Sequence, residues 1–108
     1  MTYIHAEGIM TGELKHGPLA MVDKDTQVIM VLTRDRLYEK TLNALHEVSA
    51  RQGQPIVICN EPDAHAKNLS RRNFVIPQTV DCLQSILAII PLQLLAFHIA
   101  VLKGLDVR

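Results

Sequence analysis

The sequence predicts an α/β fold of three layers, a parallel sheet with helices on both faces. Two continuous apolar runs, Val28-Ile29-Met30-Val31-Leu32 and Pro55-Ile56-Val57-Ile58-Cys59, carry the first part of this prediction. Their unbroken apolarity and β-branched content fit strands covered on both sides, where an alternating pattern would fit a half-exposed sheet. Between them lies a stretch with helical periodicity, so the connection is a crossover and the strands run parallel, with the right-handed geometry such connections take. A third, shorter run, Phe74-Val75-Ile76, adds a strand before a long apolar helical region.

Taken in order, residues 2 to 15 read as a helix with Ile4, Ile9 and Leu14 among small residues, weakened locally by Gly8 and Gly12. The run Gly12-Glu13-Leu14-Lys15-His16-Gly17-Pro18-Leu19-Ala20 ends it, because glycine accepts the left-handed conformation of helix ends and proline cannot continue a helix. After a connection from Leu19 to Asp25 and the first strand, Asp35 is placed to cap a helix whose Tyr38, Leu42, Leu45 and Val48 form one stripe. Gly53 and Pro55 stop it before the second strand. Asn60 to Arg72 reads as a polar loop, and Pro77 closes the third strand. In the final helical region Pro91 either kinks one long helix or separates two shorter ones. There is no internal repeat and no low-complexity stretch.

Composition bounds the function classes. A chain of 108 residues, 48% hydrophobic and 20% charged, is an ordinary single globular unit. Eleven basic residues balance eleven acidic ones, so nothing favours nucleic acid or an anionic membrane surface as partner. Cys59 and Cys82 sit in apolar surroundings without CxxC spacing, which fits reduced, packed thiols in a cytoplasmic protein. No secretory signal opens the chain. Residues 82 to 102 carry no formal charge and are long enough to span a bilayer. Gln84, Ser85, Pro91, Gln93 and His98 would lack partners in hydrocarbon, so the expectation is a buried soluble helix pair and no membrane contact.

Of the residues able to carry chemistry, His16 is placed best. At a helix exit it lies near carbonyls at the negative end of the helix dipole, a setting that favours a protonated imidazole and suits acid/base work near neutral pH. The plainer reading is that it only caps those carbonyls. Glu7 and Glu13 lie about one and a half turns apart and do not share a face, so solvated or ion-paired roles are expected rather than a carboxylate pair. His5 and Glu7, at i and i+2, diverge on a helix and have no further ligand cluster, so no metal is expected. His98 beside Phe97 reads as a hydrogen-bonded core or interface residue. His46 and His65 read as surface or local. Lys15 can reach a phosphate or merely offset the helix dipole. No glycine-rich phosphate loop is present, and no cofactor is expected.

Three segments carry a specific resemblance: Tyr3-Ile4-His5-Ala6-Glu7-Gly8, the Gly12 to Ala20 run, and Pro91-Leu92-Gln93-Leu94-Leu95-Ala96-Phe97-His98. They resemble the isomerising glutamine:fructose-6-phosphate amidotransferases, the glucosamine-6-phosphate synthase family, over essentially the whole chain. The similar part of that family is its second sugar isomerase (SIS) domain. The resemblance implies that residues 1–108 form a partial SIS domain of the isomerase half, lacking its first strand and the start of its first helix, with no glutaminase domain. It implies that His16 opens the ring of fructose 6-phosphate, reaching the site of a neighbouring subunit, and hence that the protein is a homo-oligomer.

The same resemblance places the family's proton-shuttling glutamate and a nearby lysine just before Met1, and its imine-forming lysine in a tail beyond Asp106-Val107-Arg108. It assigns the phosphate loop to the first SIS domain and the ammonia-releasing cysteine to the glutaminase domain. None has a matching position here. Two readings follow: a contributor of His16 to amino sugar phosphate synthesis that is inactive alone, or a non-catalytic module that binds a carbohydrate derivative or dimerises. With a sheet edge and helices left uncovered, the isolated chain is expected to be poorly soluble or to depend on a partner.

Overall fold

The computed structural model describes residues 2–60 and 64–106, with the backbone alone at 64–66 and 81. Its sheet has three parallel strands, β1 (Ile29–Leu32), β2 (Ile56–Cys59) and β3 (Arg72–Val75), in the order β1-β2-β3. Ile29 is in register with Ile56, and Ile56 with Arg72. The helices are α1 (Tyr38–Ala50), α2 (Ala64–Leu69) and α3 (Asp81–Leu102). Two short 3-10 turns, Thr11–His16 and Pro18–Met21, precede the sheet.

Alternation along the strands divides the interior into two cores and gives the three layers. On one face Met30, Leu32, Val57 and Cys59 meet Ala44, Leu45 and Val48 of α1, with Val22 and the half-buried Leu69 of α2 at the margin. On the other face Ile58 and the residue just after β3, Ile76, meet Leu87, Ala88 and Leu92 of α3. Burying each of these large side chains contributes roughly 1.5–3 kcal/mol. The predicted α/β architecture is therefore present, with helices on both sides of a parallel sheet.

Capping chemistry sets the helix ends. Asp35 does not cap α1 as expected: the N-cap position is Leu37, which makes no side-chain capping bond, and Asp35 instead folds the preceding turn, its Oδ1 accepting the Leu37 N–H at 2.8 Å and its carbonyl the Tyr38 N–H. At the other end, Gln52 takes the left-handed conformation (φ 64°), the place usually given to glycine. Gly53 is required for a different reason: a Cβ there would lie 2.8 Å from Val48 Cγ1 and 2.9 Å from the Val48 carbonyl oxygen. The start of α3 is held by the buried Gln84, which accepts the Thr79 N–H and donates to the Pro77 carbonyl. That answers the partner requirement of this residue within the protein itself.

Several expectations are corrected. Residues 2–10 form no helix, and only the 3-10 turn Thr11–His16 appears in the predicted 2–15 span. Gly8 and Gly12 raise the cost of ordering that span, and Ile4 and Ile9 find no surface to bury against, so an isolated short helix is not stable there. The expected loop from Asn60 to Arg72 contains α2. Of the two readings of Pro91, the single long helix is the one present: α3 runs unbroken for 22 residues with Pro91 inside it. The expected buried helix pair is thus one helix, and only 11% of its most apolar 18-residue window is buried. Cys59 is buried as expected, but Cys82 is exposed.

Candidate functional site

His16 is the last residue of the turn Thr11–His16, and Gly17 follows at φ 147°, a conformation that side-chain-bearing residues rarely adopt. The expected glycine-forced exit is there, although it closes a six-residue 3-10 turn instead of an α-helix. So few peptide units add little dipole, so the helix-end field expected at this histidine is not present. The turn is tied down on either side of His16 by Leu14 and Leu19, both packed on the α1-side core. The imidazole itself is exposed and has no hydrogen bond or ion pair among the described residues. It is positioned by its backbone and presented to solvent.

Lys15 turns the other way. Its Nζ lies 2.9 Å from Glu47 Oε1 on α1, an ion pair that fastens the turn to the helix. Thr11, Gly12 and Lys15 face Lys40, Asn43 and Ala44 across an open groove of about 260 Å³. The groove offers two cationic side chains, a hydroxyl and an amide, a donor set suited to an anionic or hydroxylated ligand. His16 is not among the residues lining it.

The remaining candidates are scattered. His5, Glu7 and Glu13 are exposed, neither glutamate has an ion pair, and no group of three or more His, Cys, Asp or Glu able to hold a metal forms among the described residues. His46 is exposed, as expected; the side chain of His65 lies outside the described residues. His98 is exposed, with its ring edge-on to Phe97 at 5.5 Å, so it is not a core residue.

One polar cluster escaped the sequence reading. At the carboxyl ends of β1 and β2, where open parallel sheets commonly bind ligands, the Arg34 N–H donates to Asn60 Oδ1 at 2.6 Å. The Arg34 guanidinium stacks 4.2 Å from the Tyr38 ring centroid. Asn60 is buried and its Nδ2 has no partner among the described residues, and Glu47 Oε2 is likewise buried without one there. The available signal was positional: Asn60 is the first polar residue after the apolar run of β2.

The SIS domain family model matches residues 1–103. The chain belongs to the SIS domain family. Glutamine-fructose-6-phosphate aminotransferase (isomerizing) 1 of Rattus norvegicus is 58% identical to this SIS domain over 107 residues, 99% of the chain. The glutamine-fructose-6-phosphate aminotransferase (isomerizing) of Encephalitozoon cuniculi is 56% identical over 104 residues. The chain spans 16% and 15% of these two relatives. Among solved structures, the C-terminal domain of glucosamine-fructose-6-phosphate aminotransferase from Francisella tularensis superposes with a TM-score of 0.84 at 41% identity, over 98% of this SIS domain and 30% of that chain. The similarity noted in the sequence is therefore present in both sequence and fold.

Proposed function

We propose that this SIS domain is a section of the isomerase half of an enzyme making glucosamine 6-phosphate from fructose 6-phosphate and glutamine, corresponding to the second SIS domain of that half. The observation that carries the proposal is 58% identity over 99% of the chain to an aminotransferase named for that conversion. The role of this section is to supply His16. Ring opening needs a proton delivered to the ring oxygen and one removed from the anomeric hydroxyl, and imidazole does both near neutral pH. An exposed imidazole on a backbone fixed by Gly17, Leu14 and Leu19 is free to enter a site built by another subunit, so this role implies a homo-oligomer. No cofactor enters the scheme, and the setting is cytoplasmic. The chain alone carries no base, imine-forming lysine or phosphate loop matching the family's pattern, so it is inactive by itself.

Complementation tests this reading. The chain is mixed with a synthase whose own copy of this histidine is replaced by alanine, and glucosamine 6-phosphate is measured. Restored turnover with the chain, and none with its His16→Ala variant, is the expected result. Equal behaviour of the two rejects the catalytic assignment. A second reading, a non-catalytic module that pairs or binds a carbohydrate derivative, is favoured by one observation: much of the apolar surface of α3 is uncovered.

A further inference from the structure

The turn Thr11–His16 has little of its own to hold it in place. None of its residues is buried, and Met10 before it makes no side-chain cap. Its restraints come from outside: Leu14, and Leu19 just beyond, pack on the α1-side core, and Lys15 Nζ lies 2.9 Å from Glu47 Oε1. The two kinds of contact restrain different motions. Apolar packing is non-directional, so two leucines keep the turn against the helix without fixing its rotation. An ion pair at hydrogen-bonding distance has direction, and here it is made by the residue immediately before His16. We propose that Glu47 is a positioning residue for His16, acting through Lys15.

Turn geometry converts that ion pair into a direction for the imidazole. With three residues per turn, successive side chains of a 3-10 turn leave its axis about 120° apart. Lys15 drawn onto α1 therefore aims the next side chain away from the helix, where the exposed imidazole of His16 stands without a partner among the described residues. Turning His16 toward α1 would swing Lys15 into solvent and break the pair. Glu47 is the fixed end of the contact. Its neighbours Ala44, Leu45 and Val48 lie in the closed core, and its side chain is 27% exposed against 66% for Lys15. Its Oε2 is buried and unpartnered among the described residues, so water screens the carboxylate incompletely and its hold on the ammonium is strengthened. Neither neighbouring carboxylate substitutes: Glu13 and Glu39 are exposed and make no ion pair among the described residues.

The inference rests on the catalytic reading of His16 proposed above, so its test has one readout that needs turnover and one that does not. Backbone amide order parameters of the 108-residue chain are measured by NMR relaxation. In Glu47→Gln those of Lys15 and His16 should fall from about 0.85, the value of rigid backbone, toward about 0.6, while Leu45 and Val48 stay unchanged. Glu39→Gln, which removes a charge from the same helix, should alter none of them. Lys15→Met should match Glu47→Gln, and the double variant should fall no further than either alone, because both remove one interaction. In the complementation assay Glu47→Gln should lower kcat by about twofold to tenfold and leave KM for fructose 6-phosphate unchanged, since the substrate is held elsewhere. Order parameters that do not move, a loss spread equally through α1, additive losses in the double variant, or a raised KM with kcat intact would each overturn the proposal. A wild-type chain that restores no turnover rejects the catalytic reading instead, and the order parameters then decide by themselves whether Glu47 fixes the segment.

Discussion

The two faces of the sheet are made from similar residues and end up in opposite states. On the α1 face Leu32, Leu45, Val48 and Val57 are all but inaccessible to water. On the α3 face the large side chains buried among the described residues are Ile58 and Ile76, met by the small Ala88, while Val31 and Phe74, the register partners of Ile58, are exposed along with much of α3. The difference lies in coverage. Helices α1 and α2 both lie over the first face, whereas α3 alone serves the second and spends much of its own apolar surface outward. An apolar sequence thus guarantees that a residue seeks cover but not that the chain supplies it. The first face is a closed core, and the second leaves apolar surface facing water.

The largest expected effect tests that contrast directly. Leu45→Ala should destabilise the protein by about 2–5 kcal/mol, since a closed core leaves a cavity behind. Leu94→Ala, the same truncation on α3, should change the stability of the dilute monomer by less than about 0.5 kcal/mol. Denaturant unfolding at low concentration measures both. Equal losses would mean that the two faces are equally packed, and the comparison would fail.

Glycines give the next test. Gly53→Ala drives a methyl group against Val48 Cγ1 and the Val48 carbonyl, and backbone cannot yield cheaply, so a loss of about 1–3 kcal/mol is expected. Gly12→Ala meets nothing within 4 Å, and by reducing unfolded-state freedom it should be neutral or gain up to about 1 kcal/mol. A large loss at Gly12 would show that the N-terminal segment is packed more tightly than its exposure indicates. Smaller again is Gln52→Gly, which relieves a left-handed side-chain-bearing residue at the end of α1 and should raise stability by about 0.5–1 kcal/mol. No gain in thermal unfolding would mean that Gln52 is held there without strain.

How much of this was legible in the sequence follows the same division. Strands β1 and β2 and helix α1 could be read because burial on both sides writes continuous apolar runs and a clear stripe. The layers and the parallel order follow from them. Helix α2 was hidden among polar residues of the Asn60 to Arg72 stretch, where no periodicity marks it. The span from Thr2 to Met10 failed in the opposite sense: it carries helix-compatible residues, yet with Ile4 and Ile9 uncovered, propensity had nothing to complete it. At the candidate site, the exit formed by His16 and Gly17 was readable because Gly-Pro constrains the backbone locally. The Arg34 to Asn60 contact was not, because it joins positions 26 apart through the parallel pairing of two strands. The proposal that His16 carries a proton rests on family likeness and exposure together; local geometry supports only its presentation.

The smallest expected effect concerns the loop that joins the N-terminal turns to the closed core. Asp23 follows the buried Val22, and its Oδ1 accepts the Asp25 N–H at 2.8 Å, the Thr26 hydroxyl at 3.0 Å and the Thr26 N–H at 3.0 Å. The Asp25 N–H first, and then the Thr26 hydroxyl and N–H, hold the Asp23 carboxyl below its usual range despite full exposure. The Thr26 hydroxyl oxygen also lies 3.2 Å from the Met21 carbonyl oxygen, within reach of the same proton, so the charged loop lies against the end of the second turn. The unfolded chain lacks these donors. Folding therefore favours the ionised form, and this contribution is present above the ordinary carboxylate value and fades as pH falls through the lowered folded value. Lowering the pH from about 6 to about 3 should reduce the melting temperature more in the wild-type chain than in Asp23→Asn, whose amide cannot ionise. Equal slopes would mean that the loop contributes nothing that depends on charge, leaving Leu14 and Leu19 as the anchors that join the presenting segment of His16 to the closed face.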